Sequence, residues 1–396
     1  MPEVTPLALS SSTAPARPAS PDNYDVIVVG VGGMGSAAAY HLAARGQRVL
    51  ALEQHTLAHG FGSSHGLTRI IRLAYFEDPS YVPLLRRAFA LWRALGEGMD
   101  EPLLHVTGGL DVGRAGSVVF EGSRRSCVEH GLPHEVLDAG QLAARFPGWT
   151  PAPDALAVYQ PDAGFLTPER CILAHAAAAQ AHGAIIHTGE RMRSYTAAHG
   201  SVRVETDRGV YTAAQLVLTA GPWMADVAPV LAPVLVTERQ VLGWFDVSDH
   251  AAFTPAAFPV FVFEAEEGTF YGFPEYGVPG FKIGKYHHRE EAVHPDRMDR
   301  ACTPDDEHAL RQAVTRYFPG ADGELRSSAA CLFTNTPDEH FIIDRAPDAP
   351  EVLLVSPCSG HGFKFCSVIG EVCADLVVDG RTAHDISRFR LSRFAL

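Results

Sequence analysis

Two rhythms of apolar and polar positions alternate along this chain, and each change of rhythm marks an element. Residues 26–29 (Val-Ile-Val-Val) form an unbroken apolar run, the pattern of a strand buried on both faces of a parallel sheet. Gly30, Gly32 and Gly35 follow at G-x-G-x-x-G spacing, with Gly33 and Met34 between them. The small residues of Ser36–Ala44 then read as a helix, and Val49–Leu52 as a second buried strand ending on Glu53. Residues 80–95 carry apolar side chains at helical spacing, and residues 103–122 alternate with glycines as short strands do. Val136–Phe146 read as a strand running into a short helix, and Cys171–His182 as an alanine-rich helix. Strand-like runs follow at Val202–Thr206 and Val210–Thr212, then a further apolar strand at Leu216–Leu218 that leads into Gly221. Residues 236–245 and 258–287, rich in Phe, Tyr, Val and Gly, have the character of antiparallel strands. Asp305–Tyr317 reads as a helix, Val352–Val355 as a third buried strand, and Ser367–Val378 as a helix after a glycine loop.

Buried parallel segments therefore open the chain, recur near residue 216 and return near residue 352, with β-rich stretches between them. The fold this predicts is α/β: a discontinuous, Rossmann-like parallel-sheet domain with a mostly antiparallel β domain and flanking helices threaded through it. The opening strand–turn–helix has a physical reading at each glycine. Gly30 permits the turn, Gly32 lets backbone approach a pyrophosphate, and Gly35 lets the helix pack close to the strand. The helix N-terminus offers free N–H groups to the phosphates, and Glu53 stands where a carboxylate accepts bonds from a ribose diol. The motif points to an adenine dinucleotide without separating NAD from FAD. The interrupted topology leans towards a flavoprotein, because a simple dehydrogenase more often completes its nucleotide domain in one stretch.

Composition narrows the partners. With 396 residues, two domains are expected. A net charge of −14 argues against nucleic acid or an anionic membrane as the main partner. The seven cysteines are odd in number and include no C-x-x-C pair, which suits free thiols in a reducing cytoplasm. The 19 histidines show no metal-ligand spacing, so no metal is expected. Residues 1–23, rich in Pro, Ala and Ser, read as a disordered leader. No apolar run approaches the roughly 20 residues of a membrane-spanning helix.

Seven runs together carry a resemblance: Tyr24–Glu53, Ser63–Tyr75 (SSHGLTRIIRLAY), Thr219–Trp223 (TAGPW), Glu238–Phe245 (ERQVLGWF), Tyr271–His288 (YGFPEYGVPGFKIGKYHH), Pro337–Asp344 (PDEHFIID) and Ser359–Phe365 (SGHGFKF). In these runs the chain resembles the monomeric sarcosine oxidase family of FAD-dependent secondary amine oxidases, which includes N-methyltryptophan oxidase. The resemblance implies an FAD-binding domain of residues 24–102, 165–235 and 330–396, and a substrate domain of 103–164 and 236–329 that roofs the flavin. It also implies FAD tethered through a thioether from Cys331, with Gly30, Gly32, Gly33, Met34, Gly35, Glu53, Gly360, Gly362, Phe363 and Lys364 around the cofactor.

The same resemblance assigns Lys282 to oxygen activation, where a fixed cation stabilises the anion formed as O₂ accepts an electron. His65, Thr68 and Arg69 are expected beside the flavin, Arg72 and Lys364 on the substrate carboxylate, and Tyr271 in the substrate pocket. Arginine suits a carboxylate because its planar fork can reach both oxygens. Arg69 and Arg72 share one face if Thr68–Leu73 is helical. His287 is the candidate for an active-site histidine, but the segment Gly284–His288 is one residue longer than the family's, so His287, His288 or neither fits. Phe333 and Leu67 replace a tyrosine and an acidic residue of the sarcosine enzyme, which favours a larger or more apolar substrate. The expected activity is oxidation of N-methyl or other secondary α-amino acids with O₂ reduced to H₂O₂, by a cytoplasmic monomer. The alternative is a flavin-dependent dehydrogenase that passes electrons to a quinone or carrier protein.

Overall fold

The structure is a computed structural model that describes residues 23–395. The apolar run after Asn23 forms the central strand Asn23–Val29, which pairs in parallel with Val49–Glu53 on one side and Val210–Leu218 on the other. Ala349–Ser356 joins Val210–Leu218 in parallel, with Leu216 opposite Val352, and Ile342–Ala346 caps that edge antiparallel. Ile185–Thr188 extends the opposite edge, while Met192–Ala198 and Ser201–Thr206 form an antiparallel ribbon on Val210–Leu218. The strands near 26, 216 and 352 thus meet in one sheet, although long stretches of chain separate them. Helix Gly33–Ala44 packs between helices Pro168–Ala181 and Cys366–Val378 over this sheet. The contact is tight because a Cβ on Gly370 would lie 2.5 Å from the backbone of Ala37.

A second sheet of eight strands runs in the order Leu325–Asn335, Val236–Phe245, Phe281–Lys285, Gly268–Phe273, Val260–Ala265, Gly109–Gly113, Leu156–Gln160 and Glu135–Asp138. Its pairings are antiparallel except for Val260–Ala265 with Gly109–Gly113. One face is a phenylalanine-rich core, including Phe245, Phe253, Phe261, Phe281 and Phe318. The register places Leu242, Tyr271, Val262 and Asp111 in one row of the other face and Trp244, Lys282 and Phe273 in the next. A three-stranded sheet of Arg69–Ile71, Gly164–Leu166 and Leu104–Val106 completes the strands.

Several expectations need correction. Thr68–Leu73 is not helical: Arg69–Ile71 is a strand, antiparallel to Gly164–Leu166, as suits its β-branched isoleucines. Val210–Thr212 and Leu216–Leu218 belong to one strand, Val210–Leu218. The stretch 103–122 turns from strand to helix at Ser117, whose hydroxyl accepts from the Phe120 N–H and caps helix Val118–His130. The strand Leu325–Asn335 carries the second sheet beyond residue 330, where the domain boundary was expected. The expected leader lies outside the described residues apart from Asn23. All seven cysteines are free. Among the described residues, no helix is long and apolar enough to cross a membrane.

Candidate active site

A cavity of about 670 Å³ opens at the carboxyl end of Asn23–Val29, where the sequence motif sits. Gly30 has φ +90°, and a Cβ there would lie 2.6 Å from the Thr219 carbonyl oxygen. A Cβ on Gly35 would lie 1.7 Å from the Gly30 carbonyl oxygen, whereas one on Gly32 would meet nothing within 4 Å. The first two glycines thus close the turn, and the third leaves open space in front of the helix N-terminus. Gly30, Gly32, Gly33, Met34 and Glu53 line the cavity; Gly35 packs behind it. The Glu53 carboxylate accepts the N–H groups of Val31 and His55, each at 2.9 Å, and His59 lies 3.4 Å away. Burial raises its pKa, but His59 and these N–H groups outweigh that and hold it below the usual value. Gly360, Gly362 and Phe363 wall the cavity from the loop before helix Cys366–Val378.

The far end of the cavity is walled by Ser63, Arg69, Leu332 and Phe333. Buried Cys331 stands behind this wall, with its Sγ 3.4 Å from Arg69 Nη2. Burial works to raise the thiol's pKa, but His65 and Arg69 outweigh it and bring it down to about 6. The remaining cysteines with a resolved shift are pushed up by burial. Several polar atoms here, Ser63 Oγ, His65 Nε2 and Thr334 Oγ1, are buried without a hydrogen-bond partner. An open phosphate turn, a buried carboxylate at one end and orphaned polar atoms with an acidified thiol at the other fit FAD in an extended pose.

Lys282 lies on the face of the second sheet opposite its phenylalanine-rich core, the roof face, and reaches the turn that precedes Arg69. Its Nζ donates to the carbonyls of Gly66 (2.6 Å) and Thr68 (3.1 Å) and to Thr68 Oγ1 (2.8 Å). The rings of Phe273 and Trp244 flank it at 4.3 and 5.3 Å. Burial, then Arg69, pushes its pKa well below the lysine norm. Glu169, which the sequence reading missed, fixes the turn by accepting the N–H groups of Gly66 (2.6 Å) and Leu67 (3.2 Å).

Arg72 faces away from Arg69, as the strand alternation requires. Its Nη2 contacts both oxygens of Glu77 at 2.9 Å, Nη1 donates to the Ala74 carbonyl, and Nε lies 3.8 Å from Asp111 Oδ1. Lys364 Nζ donates to the His361 carbonyl at 2.8 Å and sits 5.3 Å from the Tyr75 ring, off the cavity wall. Burial and Arg72 lower its pKa to about 7. His361 is held by Tyr75 Oη on Nδ1 (2.6 Å) and donates from Nε2 to the Glu339 carbonyl. Neither Glu77 nor Asp111 was singled out in the sequence.

Tyr271 packs against Leu242, Trp244 and Cys331. Its ring lies 5.2 Å from Tyr286, which is 6.0 Å from Phe333. Tyr286, rather than either histidine that follows it, joins this cluster. His287 points outward, held by Glu238 (2.9 Å) and Glu339 (3.0 Å), and its hydrogen bond to Glu339 raises its pKa to about 9. His288 is buried against Asp306, which also pairs with Arg239. Neither histidine joins the cluster. Strand alternation alone puts Lys282, Gly284 and Tyr286 on one face, and that signal was available.

Comparison with known proteins agrees with this geometry. Residues 25–376 match the family model DAO, FAD dependent oxidoreductase. The chain is 41% identical over 378 residues to monomeric sarcosine oxidase of Streptomyces avermitilis, covering 94% of this chain and 98% of that relative. It is 35% identical over 374 residues to N-methyl-L-tryptophan oxidase of Salmonella dublin, with coverage of 94% and 99%. The open form of NikD, an unusual amino acid oxidase of nikkomycin biosynthesis, superposes with a TM-score of 0.80 at 28% identity, covering 93% of this chain and 97% of that one. The chain belongs to the DAO family of FAD-dependent oxidoreductases, in the group that holds the monomeric sarcosine oxidases and N-methyl-L-tryptophan oxidase.

Proposed function

We propose that this protein is an FAD-dependent oxidase of N-methyl or other secondary α-amino acids, working as a cytoplasmic monomer. The observation that carries the oxidase reading is Lys282, a buried lysine whose Nζ is held by carbonyls and a hydroxyl and bordered by aromatic rings beside the wall of the cofactor cavity. The chemistry FAD supplies when bound is two-electron oxidation of the substrate C–N bond and return of the electrons to O₂ as H₂O₂. The fit of the cavity to FAD, with Glu53 at the adenosine end and Cys331 at the flavin end, supports a thioether tether at Cys331. The thiol's low pKa would supply the thiolate such a bond requires. The C–S bond would replace one C–H of the cofactor's methyl group, with the proton lost to solvent and two electrons passed by way of the flavin to O₂.

The chain's own residues divide the remaining work. Arg72 and Lys364 hold the substrate carboxylate, so that the carbon next to nitrogen is oriented towards the flavin end of the cavity; such positioning can supply a large share of a rate. Tyr271, Tyr286, Phe333 and Leu67 form an apolar wall that excludes water and suits a bulky or hydrophobic amino acid. Burial raises the pKa of both tyrosine hydroxyls, so they remain protonated. Thr68 and the Gly66 carbonyl aim the Lys282 ammonium, which stabilises negative charge developing on oxygen. The imine product leaves and hydrolyses in water, giving formaldehyde when an N-methyl group was oxidised.

Oxygen uptake and H₂O₂ release measured with sarcosine, N-methyltryptophan, pipecolate, proline and primary amino acids test this reading. A secondary amino acid is expected to be the best substrate, and acid precipitation of the same sample is expected to keep the yellow colour in the pellet. Absence of H₂O₂ from every substrate would sink the oxidase assignment, and dye reduction without oxygen use would indicate the dehydrogenase. Colour released to the supernatant would remove the tether.

A further inference from the structure

Arg72 is enclosed by two carboxylates, and the one that needs explaining is Asp111. Three observations set it apart from Glu77. Glu77 makes a two-oxygen contact with the Arg72 fork, whereas Asp111 stands off at 3.8 Å from Nε. Asp111 Oδ1 has no hydrogen-bond partner, and neither does the neighbouring amide Nε2 of Gln160. Both residues, with Arg72, line a void of about 10 Å³, room for one water molecule. Asp111 lies in the same row of the roof face as Tyr271, so this cluster and the substrate pocket share one surface.

The charges around Asp111 come from every element packed on it. Arg72 and Glu77 face it from the segment after strand Arg69–Ile71, and Gln160 from the adjacent strand Leu156–Gln160. Ser123 and Cys127 face it from helix Val118–His130, Lys364 from the loop before the last helix, and Tyr286 from the end of Phe281–Lys285. With Arg72 and Lys364 charged, Glu77 and Asp111 balance the buried cluster to zero. A substrate carboxylate would leave it one negative charge in excess, where water cannot screen it.

We propose that substrate binding is coupled to proton uptake: as the substrate carboxylate docks on Arg72 and Lys364, Asp111 takes one proton from solvent and becomes neutral. The balance is simple: one carboxylate and one proton enter, one Asp111 carboxylate becomes a carboxyl group, and the net charge of the cluster is unchanged. Glu77 is unsuited to the role because Arg72 overcomes the effect of its burial and holds its pKa below the usual value. Burial moves Asp111 the other way, to about 6. The inference rests on the reading that Arg72 and Lys364 receive the substrate carboxylate.

Methoxyacetate is a suitable probe, because an ether oxygen replaces the amine and only its carboxylate titrates, well below neutrality. Calorimetry of its binding to holoenzyme in buffers of different ionisation enthalpy counts protons, and flavin absorbance gives Kd against pH. The expected result near neutrality is uptake close to one proton. Kd rises about tenfold per pH unit above the Asp111 midpoint, since proton uptake favours the complex at low pH. In Asp111→Asn the uptake falls by the share Asp111 carries, leaving at most the fraction of a proton that Lys364, with a pKa of about 7, takes up, and the rise of Kd with pH weakens. Binding without proton uptake in the wild type overturns the proposal, and that arm needs no variant to fold. Undiminished uptake in Asp111→Asn also overturns it, by moving the proton to another group such as Lys364. The underlying reading fails separately if Arg72→Lys binds methoxyacetate as tightly as the wild type.

Discussion

Lys282 and Arg72 are both cations removed from water, 2% and 4% exposed, but they are held in opposite ways. Arg72 is ringed by Glu77 and Asp111, so its charge is answered before any substrate arrives. Lys282 is bonded to neutral oxygens and bordered by the Phe273 and Trp244 rings. Burial and Arg69 lower the Lys282 pKa and the more distant Glu169 only partly opposes them, whereas Glu77 and Asp111 outweigh burial at Arg72 and raise its pKa. In the function proposed above, the Lys282 site would stabilise an anion that appears only during reaction, and the Arg72 site would receive an anion brought in ready-made, by exchange of partners.

Replacing Lys282 is the strongest way to break this contrast. Lys282→Met keeps the length and apolar stem and removes the charge. Reoxidation of the reduced enzyme by O₂ is expected to slow by about 10²- to 10³-fold, the scale for loss of one preorganised electrostatic group. Anaerobic reduction by substrate is expected to change by less than about tenfold, since that step does not need the ammonium. Stopped-flow measurement of the two half-reactions separates them. Equal loss in both would reduce Lys282 to a structural lysine.

What could be read from the sequence divides along the same line. The dinucleotide turn was legible because neighbouring residues determine it: Gly30 and Gly35 set the turn geometry whatever the rest of the chain does. Lys282 and Cys331 stood out only through the resemblance of their surrounding runs. Their partners could not be read, because Glu169, Glu77 and Asp111 reach the site through pairings between distant segments. A spacing of three fits a helix face or opposite sides of a strand, so the spacing of Arg69 and Arg72 left their relative direction open until the strand Arg69–Ile71 was known. The pair Ile70-Ile71 was the overlooked cue. His287 stays out of the cluster for a related reason: in a strand, one residue more or less turns a side chain to the other face. Counting by twos from Lys282 reaches Tyr286.

The Arg72 side of the comparison can be sharpened with Arg72→Lys, which keeps a charge and loses the planar fork. Substrate KM is expected to rise by about tenfold to a hundredfold, the equivalent of about 1.5–3 kcal/mol for a charged hydrogen bond. Glu77→Gln is the opposing change: it releases the fork, and KM is expected to fall or hold while kcat changes little. If Arg72→Lys altered kcat alone, the carboxylate would not be docking there, and the partner-exchange view would fail.

Thr68→Val should give the smallest effect. The substitution removes only the hydroxyl acceptor of the Lys282 ammonium and leaves the carbonyls of Gly66 and Thr68 in place. A β-branched valine matches threonine in shape, and Thr68 is buried, so the turn should survive. Loss of one such bond corresponds to about 1 kcal/mol, or roughly fivefold, and should fall on the oxygen half-reaction. An unchanged rate would mean that the two carbonyls alone aim the ammonium. A loss as large as that of Lys282→Met would mean that the hydroxyl takes part directly, as a proton donor to reduced oxygen, and that the uncompensated cation is only half of the device.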